Sequence, residues 1–499
     1  MKIIIGYPPL ISTKGTPLLS QNRQFQWFKS STYIYPIVPA YTATMLKNSG
    51  HQVFWLDGIA QNWTLEKWLT EVKKQKADLL MMETKTPVIK QHWKIINKLK
   101  SLSIILVGDH VTALPEESFK NSQVDYVLTG GDYDFLLLNL VNHLTKETKL
   151  EPGIYCRKRL NTSTQGRSSF GRKYQILNTG RFKLDHNLNR LPLIDRELTK
   201  WQLYAYQNGN YKKTPGTYIM AGRDCWHRKN SGCTFCSWTT LYPQYRVRMV
   251  DNVLNEIGQL IENYQIKEVM DDTGTFPVGQ WLKDFCEGMI KHRYNKKIYF
   301  DCNMRFGVLT KKDYLLMAKA GFRMLLFGLE SANQTTLDKL NKGIRVDLVE
   351  KELAIIKQVN NETNGYLQPH LTCMIGYPWE TKTDAQTTLA FVSNLFKKGL
   401  IDSLQATMII PYPGTKLFNQ AQKNHLLKTL NWNDYDMKQP VLKTKIKAKE
   451  ILQLIQSLYT SFLIPSFFIK KLFSIRSLAD LPFFWRAAKK VLSHWFDFQ

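Results

Sequence analysis

Three of the seven cysteines in this 499-residue chain fall in one short stretch. Cys225 precedes Cys233 by seven intervening residues, and Cys233 and Cys236 form a C-x-x-C pair. A loop of that size can fold back and aim three thiolates at one point. Thiolates are soft ligands and select zinc or an iron–sulfur cluster. Structural zinc requires a closed set of four ligands, which His227 would complete as a Cys3His knuckle. Three thiolates instead satisfy three irons of a 4Fe-4S cluster and leave the fourth open to a substrate. On this loop alone both readings stand, beside a third in which the cysteines hold no metal.

The elements around the loop decide what it faces. In the first 150 residues, apolar runs at 3–5, 52–57, 77–82, 104–108 and 126–131 alternate with helical patterns. One such pattern, at 39–48, stops at Ser49-Gly50. This alternation predicts a doubly wound (Rossmann-like) parallel sheet over residues 1–150. Such sheets bind ligands beyond the carboxyl ends of their strands. Here those ends read Tyr7-Pro8-Pro9, Glu83-Thr84-Lys85-Thr86, Gly108-Asp109-His110-Val111-Thr112 and Thr129-Gly130-Gly131-Asp132. Glycines there let backbone approach a bulky cofactor. Residues 151–200 read as a connector, basic and rich in Ser, Thr and Gly, forming an irregular linker or hairpin.

From 201 to 430, strands are predicted at 217–222, 268–273, 298–305, 324–331, 371–378 and 405–410. Helices fall between them, including 250–264, with Val253, Ile257, Leu260 and Ile261 on one face, and 281–292. Six β/α repeats suit a partial β/α barrel, whose chemistry belongs at the carboxyl ends of its strands. Polar residues gather there: Asp271-Asp272-Thr273-Gly274, Asn303 and Arg305, Gly328-Leu329-Glu330-Ser331, Ile375-Gly376-Tyr377-Pro378-Trp379-Glu380, and Pro411-Tyr412-Pro413-Gly414-Thr415.

The cysteine stretch, with Phe235 just before its last cysteine, and these strand ends in this order resemble the radical S-adenosylmethionine (SAM) enzymes with an amino-terminal cobalamin-binding domain. The resemblance covers roughly residues 1–430. The family spacing is C-x-x-x-C-x-x-C, and the longer first gap here departs from it. The resemblance implies a 4Fe-4S cluster on Cys225, Cys233 and Cys236. It implies SAM contacts at Phe235, Asp271, Asp272, Thr273, Asn303, Arg305, Glu330, Ser331, Gly376 and Glu380. It implies cobalamin contacts at Tyr7, Pro8, Glu83, Thr84, Gly108, Asp109, His110, Thr112, Gly130 and Gly131. No D-x-H-x-x-G motif occurs, so the resemblance implies cobalt without a histidine lower ligand. The implied activity is methyl transfer to an unactivated carbon through a 5′-deoxyadenosyl radical, with electrons from an external donor such as flavodoxin or ferredoxin. Cyclisation or another rearrangement without methyl transfer is the near alternative. A non-catalytic metal- or cobalamin-binding sensor is the alternative of another class.

The formal net charge of +27 points to nucleic acid, an anionic membrane surface or acidic substrates. The lysines are spread along the chain and no separate RNA-binding module is evident. A small-molecule or lipid substrate is therefore expected rather than nucleic acid. Cys156, Cys286, Cys302 and Cys373 are scattered, which suits buried thiols in a reducing cytoplasm rather than a disulfide framework. The amino terminus turns polar too soon for a signal peptide. Residues 431–499 form a basic, aromatic, helical tail. Its uncharged run 451–469 is diluted by Gln453, Gln456 and Pro465, which predicts a helix packed on the barrel rather than a membrane span. The later part, 470–490, suits peripheral contact with an anionic membrane.

Overall fold

The amino-terminal isoleucines build the centre of the first sheet. Strand β1 (Lys2–Tyr7) buries Ile3, Ile4 and Ile5 completely, as a parallel strand covered on both faces must. The computed structural model describes residues 1–19, 25–99, 101–159, 174–208, 210–363, 365–465, 467 and 483. In chain order β1 is followed by a small hairpin of β2 (Thr16–Leu18) and β3 (Gln26–Phe28), then α1 (Ile37–Asn48), β4 (Gln52–Asp57), α2 (Leu65–Gln75), β5 (Leu79–Glu83), α3 (Ile89–Ile96), β6 (Ser103–Val107), α4 (Asp109–Ala113), α5 (Pro115–Asn121), β7 (Tyr126–Leu128) and α6 (Tyr133–Lys146). The parallel strands lie in the order β4-β1-β5-β6-β7. The order reverses between β1 and β5, the switch point at which doubly wound sheets open a crevice for ligands. Tyr7 and Glu83 end those two strands.

Part of the connector is an antiparallel strand pair, in line with the hairpin form expected of it. Strands β8 (Ile154–Arg159) and β9 (Tyr174–Asn178) add antiparallel to β7 and extend the first sheet to seven strands. The Arg157 guanidinium lies 4.0 Å from the Tyr174 ring centroid and its Nη2 donates to the Phe119 and Ser122 carbonyls. The charge run of β8 masks the alternation that marks a strand.

The second unit comprises α7 (Gln202–Ala205), β10 (Gly216–Ile219), β11 (Gly222–Arg223), α8 (Trp238–Leu241), β12 (Arg246–Val247), α9 (Val250–Tyr264), β13 (Glu268–Asp271), α10 (Gln280–Lys291), β14 (Tyr299–Met304), α11 (Lys311–Lys319), β15 (Phe322–Glu330), α12 (Gln334–Lys339), α13 (Val346–Thr363), β16 (Gln368–Ile375), α14 (Lys382–Lys397), β17 (Ser403–Met408), α15 (Lys416–Lys423) and α16 (Ala448–Thr460). Six of these strands form a parallel sheet in strict sequence order, β10-β13-β14-β15-β16-β17. That is the partial β/α barrel. Helices α11 and α14 open with capping boxes, Thr310 with Asp313 and Thr381 with Asp384, which satisfy amides that the helix leaves unpaired. Helix α16 covers the last strand. The Tyr459 hydroxyl donates to the Ala406 carbonyl (2.8 Å) and accepts from the Ala406 amide (3.1 Å), satisfying the outer side of β17. Among the described residues no helix is long and apolar enough to cross a membrane. Apart from Phe483, the segment 470–490 lies outside the described residues.

Candidate active site at the junction of two domains

Strands β11 and β12 pair antiparallel, Gly222 opposite Val247 and Arg223 opposite Arg246. Residues 224–245, with all three clustered cysteines, are therefore one loop on a two-stranded stem. The loop folds back through left-handed residues Asp224 (φ 75°), Ser231 (φ 68°) and Gly232 (φ 64°). Arg228 braces the turn, donating from Nε to Asp224 Oδ2 (2.5 Å) and from Nη2 to Oδ1 (2.9 Å). None of the three is in a disulfide; Cys233 is buried, and Cys225 and Cys236 are partly so. Burial pushes the Cys236 thiol up to about 12, and neighbouring Cys233 pushes the same way. Burial also raises the Cys225 thiol. A bound metal would favour their thiolate forms. Arg305 supplies positive charge, its Nη1 lying 3.8 Å from Cys233 Sγ. His227 Nε2 sits 2.7 Å from the Asn341 carbonyl, holding the ring against another loop. Among the described residues no three His, Cys, Asp or Glu side chains gather as a single metal ion requires. A cubane gripped at three separate corners does not require it.

The loop is bolted to the first domain. Asp132, just beyond β7, accepts from Arg223 Nη1 (2.7 Å), from Arg246 Nη1 and Nη2 (both 2.7 Å), and contacts His186 Nδ1 (2.9 Å). Asp134 accepts from Arg223 Nη1 (2.9 Å) and Nη2. Burial alone would raise the Asp132 carboxyl, yet Arg223, His186 and Arg246 hold it well below its ordinary range. Burial lowers the His186 imidazole, but Asp132 and Glu151 outweigh it and lift it to about 9. The Gly131 amide donates to the Leu241 carbonyl (2.9 Å), and a Cβ on Gly131 would overlap the Tyr242 ring. Both residues of the stem's second pair thus reach one carboxylate on the first domain's rim.

That rim carries the expected cobalamin residues. Tyr7 donates to Glu83 Oε2 (2.6 Å) across the switch point. Burial raises the Glu83 carboxyl. Thr84 Oγ1 lies 2.7 Å from His92 Nδ1, and Lys85 pairs with Asp109 (3.2 Å). Gly108 (φ 121°) passes so close to Thr84 that a Cβ would meet its carbonyl at 2.3 Å. Thr112 donates to the Gly108 carbonyl (2.7 Å) and accepts from the Gly130 amide (2.9 Å). His110 is fully buried, with Nδ1 on Thr86 (3.2 Å) and Nε2 on Glu117 (3.0 Å). Both ring nitrogens are occupied, so His110 is a loop strut and offers no nitrogen to cobalt. Pro8 is buried at the same rim.

At the barrel's carboxyl ends, Asp271 accepts from the Ala221 amide (2.6 Å) and Thr273 from the Gly222 amide (2.9 Å). Burial lifts the Asp271 carboxyl to about 7. These side chains hold the stem of the cysteine loop. The Asp272 amide donates to the Ile219 carbonyl (2.9 Å), and Asn303 Nδ2 to the Thr273 carbonyl (2.7 Å). Arg305 also donates to the Lys342 carbonyl and stacks over Trp226 at 5.3 Å. Glu330 ends β15 with φ 67°, at a register shift between Gly328 and Glu330. Backbone strain and bulges of this kind gather at functional sites. The Glu330 carboxylate folds over Gly328, where a Cβ would meet it at 2.3 Å, and pairs with buried Lys342 (2.7 Å). Lys342 Nζ lies 6.0 Å from the Phe235 ring centroid. Ser331 accepts from the Asn333 amide (3.1 Å) within a turn. Gly376 (φ 94°) donates its amide to Glu380 (2.7 Å), closing a turn in which Tyr377 and Trp379 stack at 5.6 Å.

The sequence profile of the Radical SAM superfamily matches residues 221–392, from the stem of the cysteine loop through most of the barrel. Residues 221–392 therefore form a radical SAM domain. A protein of Pyrococcus horikoshii named as an uncharacterized methyltransferase is 26% identical over 88% of this chain and 90% of its own length. The anaerobic magnesium-protoporphyrin IX monomethyl ester cyclase of Rubrivivax gelatinosus is 21% identical over 87% of this chain and 75% of its own. Among solved structures, a radical SAM methyltransferase from Kitasatospora setae with cobalamin and a 4Fe-4S cluster bound superposes with a TM-score of 0.62, at 13% identity, over 86% of this chain and 79% of that one. That likeness concerns the fold.

Within the radical SAM domain, the structure gathers Cys233, Phe235, Arg305 and Glu330 into one neighbourhood with Lys342. Asp271, Thr273, Ser331 and Glu380 instead fix backbone, at Ala221, Gly222, Asn333 and Gly376. Sequence reasoning missed Lys342, Thr275 and the Arg223–Arg246–Asp132 clamp. Lys342 has no strand-end position to flag it among so many lysines. Arg223 stands beside Cys225 in sequence, but its acidic partners lie ninety residues away in another domain.

Proposed function

We propose that this radical SAM enzyme is a cobalamin-dependent methyltransferase acting on an unactivated carbon of a small molecule or lipid. The observation that carries the reading is the clamp, which ties the three-thiol loop to the rim of a doubly wound domain whose switch point lies between β1 and β5. Cys225, Cys233 and Cys236 would hold a 4Fe-4S cluster, with Arg305 offsetting its negative charge. Phe235, Glu330, Arg305 and Lys342 are the nearby groups that would orient SAM. The loops after β1, β5, β6 and β7 would hold cobalamin without a histidine on cobalt, since His110 is spent on Thr86 and Glu117. When bound, the cluster supplies the electron that splits SAM, and cobalamin carries the methyl group. The protein's share is to orient both and exclude water. The reading includes an external donor such as flavodoxin or ferredoxin, a cytoplasmic setting, and peripheral membrane contact through the basic aromatic tail.

The cyclase relative favours a second reading, ring closure without methyl transfer. Anaerobic reconstitution with iron, sulfide and cobalamin, followed by reduction with SAM, separates them. Methyl transfer yields S-adenosylhomocysteine together with 5′-deoxyadenosine. A rearrangement yields 5′-deoxyadenosine alone. Bound zinc with neither product leaves only the sensor.

A further inference from the structure

We infer that Thr275 tunes the reduction potential of the cluster through a hydrogen bond to the Cys225 sulfur, an assignment that rests on the cluster reading above. Thr275 Oγ1 lies 2.8 Å from Cys225 Sγ, and Thr275 is buried. The approach depends on Gly274: a Cβ there would meet the Asp224 carbonyl at 2.7 Å and Cys225 Cβ at 3.5 Å, wedging the two segments apart. The backbone of this corner is pinned on both sides. Asn303 holds the Thr273 carbonyl (2.7 Å), the Phe276 amide donates to the Asn303 carbonyl (2.9 Å), and the Tyr245 hydroxyl donates to the Thr275 carbonyl (3.3 Å). The hydroxyl therefore stays beside the sulfur.

Its single proton has two acceptors, Cys225 Sγ and the Gly274 carbonyl at 2.9 Å. A neutral thiol can itself donate to Oγ1, leaving the threonine proton to Gly274. A metal-bound thiolate can only accept, so the proton turns to sulfur. A hydrogen bond to a ligating sulfur stabilises the reduced, more negative cluster over the oxidised one and raises its potential. Thr275 is thus a positioning and tuning residue that acts through Cys225.

The test compares full-length wild type, Thr275→Val and Thr275→Ser, each reconstituted anaerobically. Iron and sulfide per chain, the cluster midpoint potential and deuterium-exchangeable proton couplings of the reduced cluster are measured. The expected result is equal loading, a more negative midpoint and one lost coupling in the valine protein, and recovery of both in the serine protein. A valine protein with wild-type loading and midpoint overturns the assignment, as does a serine protein shifted as far as valine. Should the valine protein load no cluster, the other two decide: a shared exchangeable coupling supports the assignment, and its absence from wild type refutes it. Wild type that takes up zinc and no iron would instead overturn the cluster reading itself.

Discussion

Glu380 sits in the turn after β16, its carboxylate taken by the Gly376 amide (2.7 Å) and, at longer range, the Tyr377 amide (3.4 Å). Burial outweighs those two donors and lifts its pKa from 4.5 to about 7. The folded state therefore favours the protonated form. Its contribution to stability is complete below the ordinary carboxyl pKa and is lost as pH rises through about 7. Replacing Glu380 by Gln keeps an acceptor for Gly376 and removes the titration. Denaturant midpoints across this pH range should fall less steeply for Glu380→Gln than for wild type; equal slopes would contradict the burial argument. At this scale the sequence is uneven as a guide. The cysteines are legible because they are neighbours in sequence. Thr275 and Lys342 owe their places to partners on other elements, Cys225 and Glu330, and no spacing within their own segments announces this. His110 is placed correctly in its loop, yet its nitrogens prove spoken for by Thr86 and Glu117.

Among the elements, the short ribbon of β11 and β12 matters most for function. It is only two residues a side, too small to hold its own geometry. Asp271 and Thr273 hold its first strand, and Arg223 and Arg246, which straddle the cysteine loop, tie it to Asp132. Arg223→Gln would leave Asp132 and Asp134 buried with incomplete compensation. Breaking a buried ion pair at one partner costs about 3–5 kcal/mol. A matching fall in unfolding free energy, with weakened cobalamin retention, is expected. A change near zero in both would show that the clamp does not position the loop. No residue in the ribbon forms a pattern long enough to read as a strand, so it stays hidden in sequence. The same holds for β8, where Arg157, Lys158 and Arg159 obscure a strand that is paired on both sides. The long parallel strands are another matter: β1 and β4 through β7 in one sheet, and β13 through β17 in the other, announce themselves as apolar runs closed by polar ends.

Across the whole molecule, the strand order 216–408 follows the chain without a break, while the first sheet reverses at β1 and β5. Both sheets end their strands in the loops that hold the candidate residues, and the Asp132 clamp joins the two rims. The overall architecture is legible because β/α alternation leaves few topologies open. The relation between the domains is not, because it rests on ionic contacts between segments far apart in sequence. The central claim is that three thiols hold an iron–sulfur cluster whose remaining iron is open to SAM. Electron paramagnetic resonance of the reduced, reconstituted protein, recorded with and without SAM, tests this most directly. A cluster signal that changes shape when SAM is added is the predicted result. A protein that binds zinc and shows no such signal, or a cluster signal that SAM leaves unaltered, would contradict it.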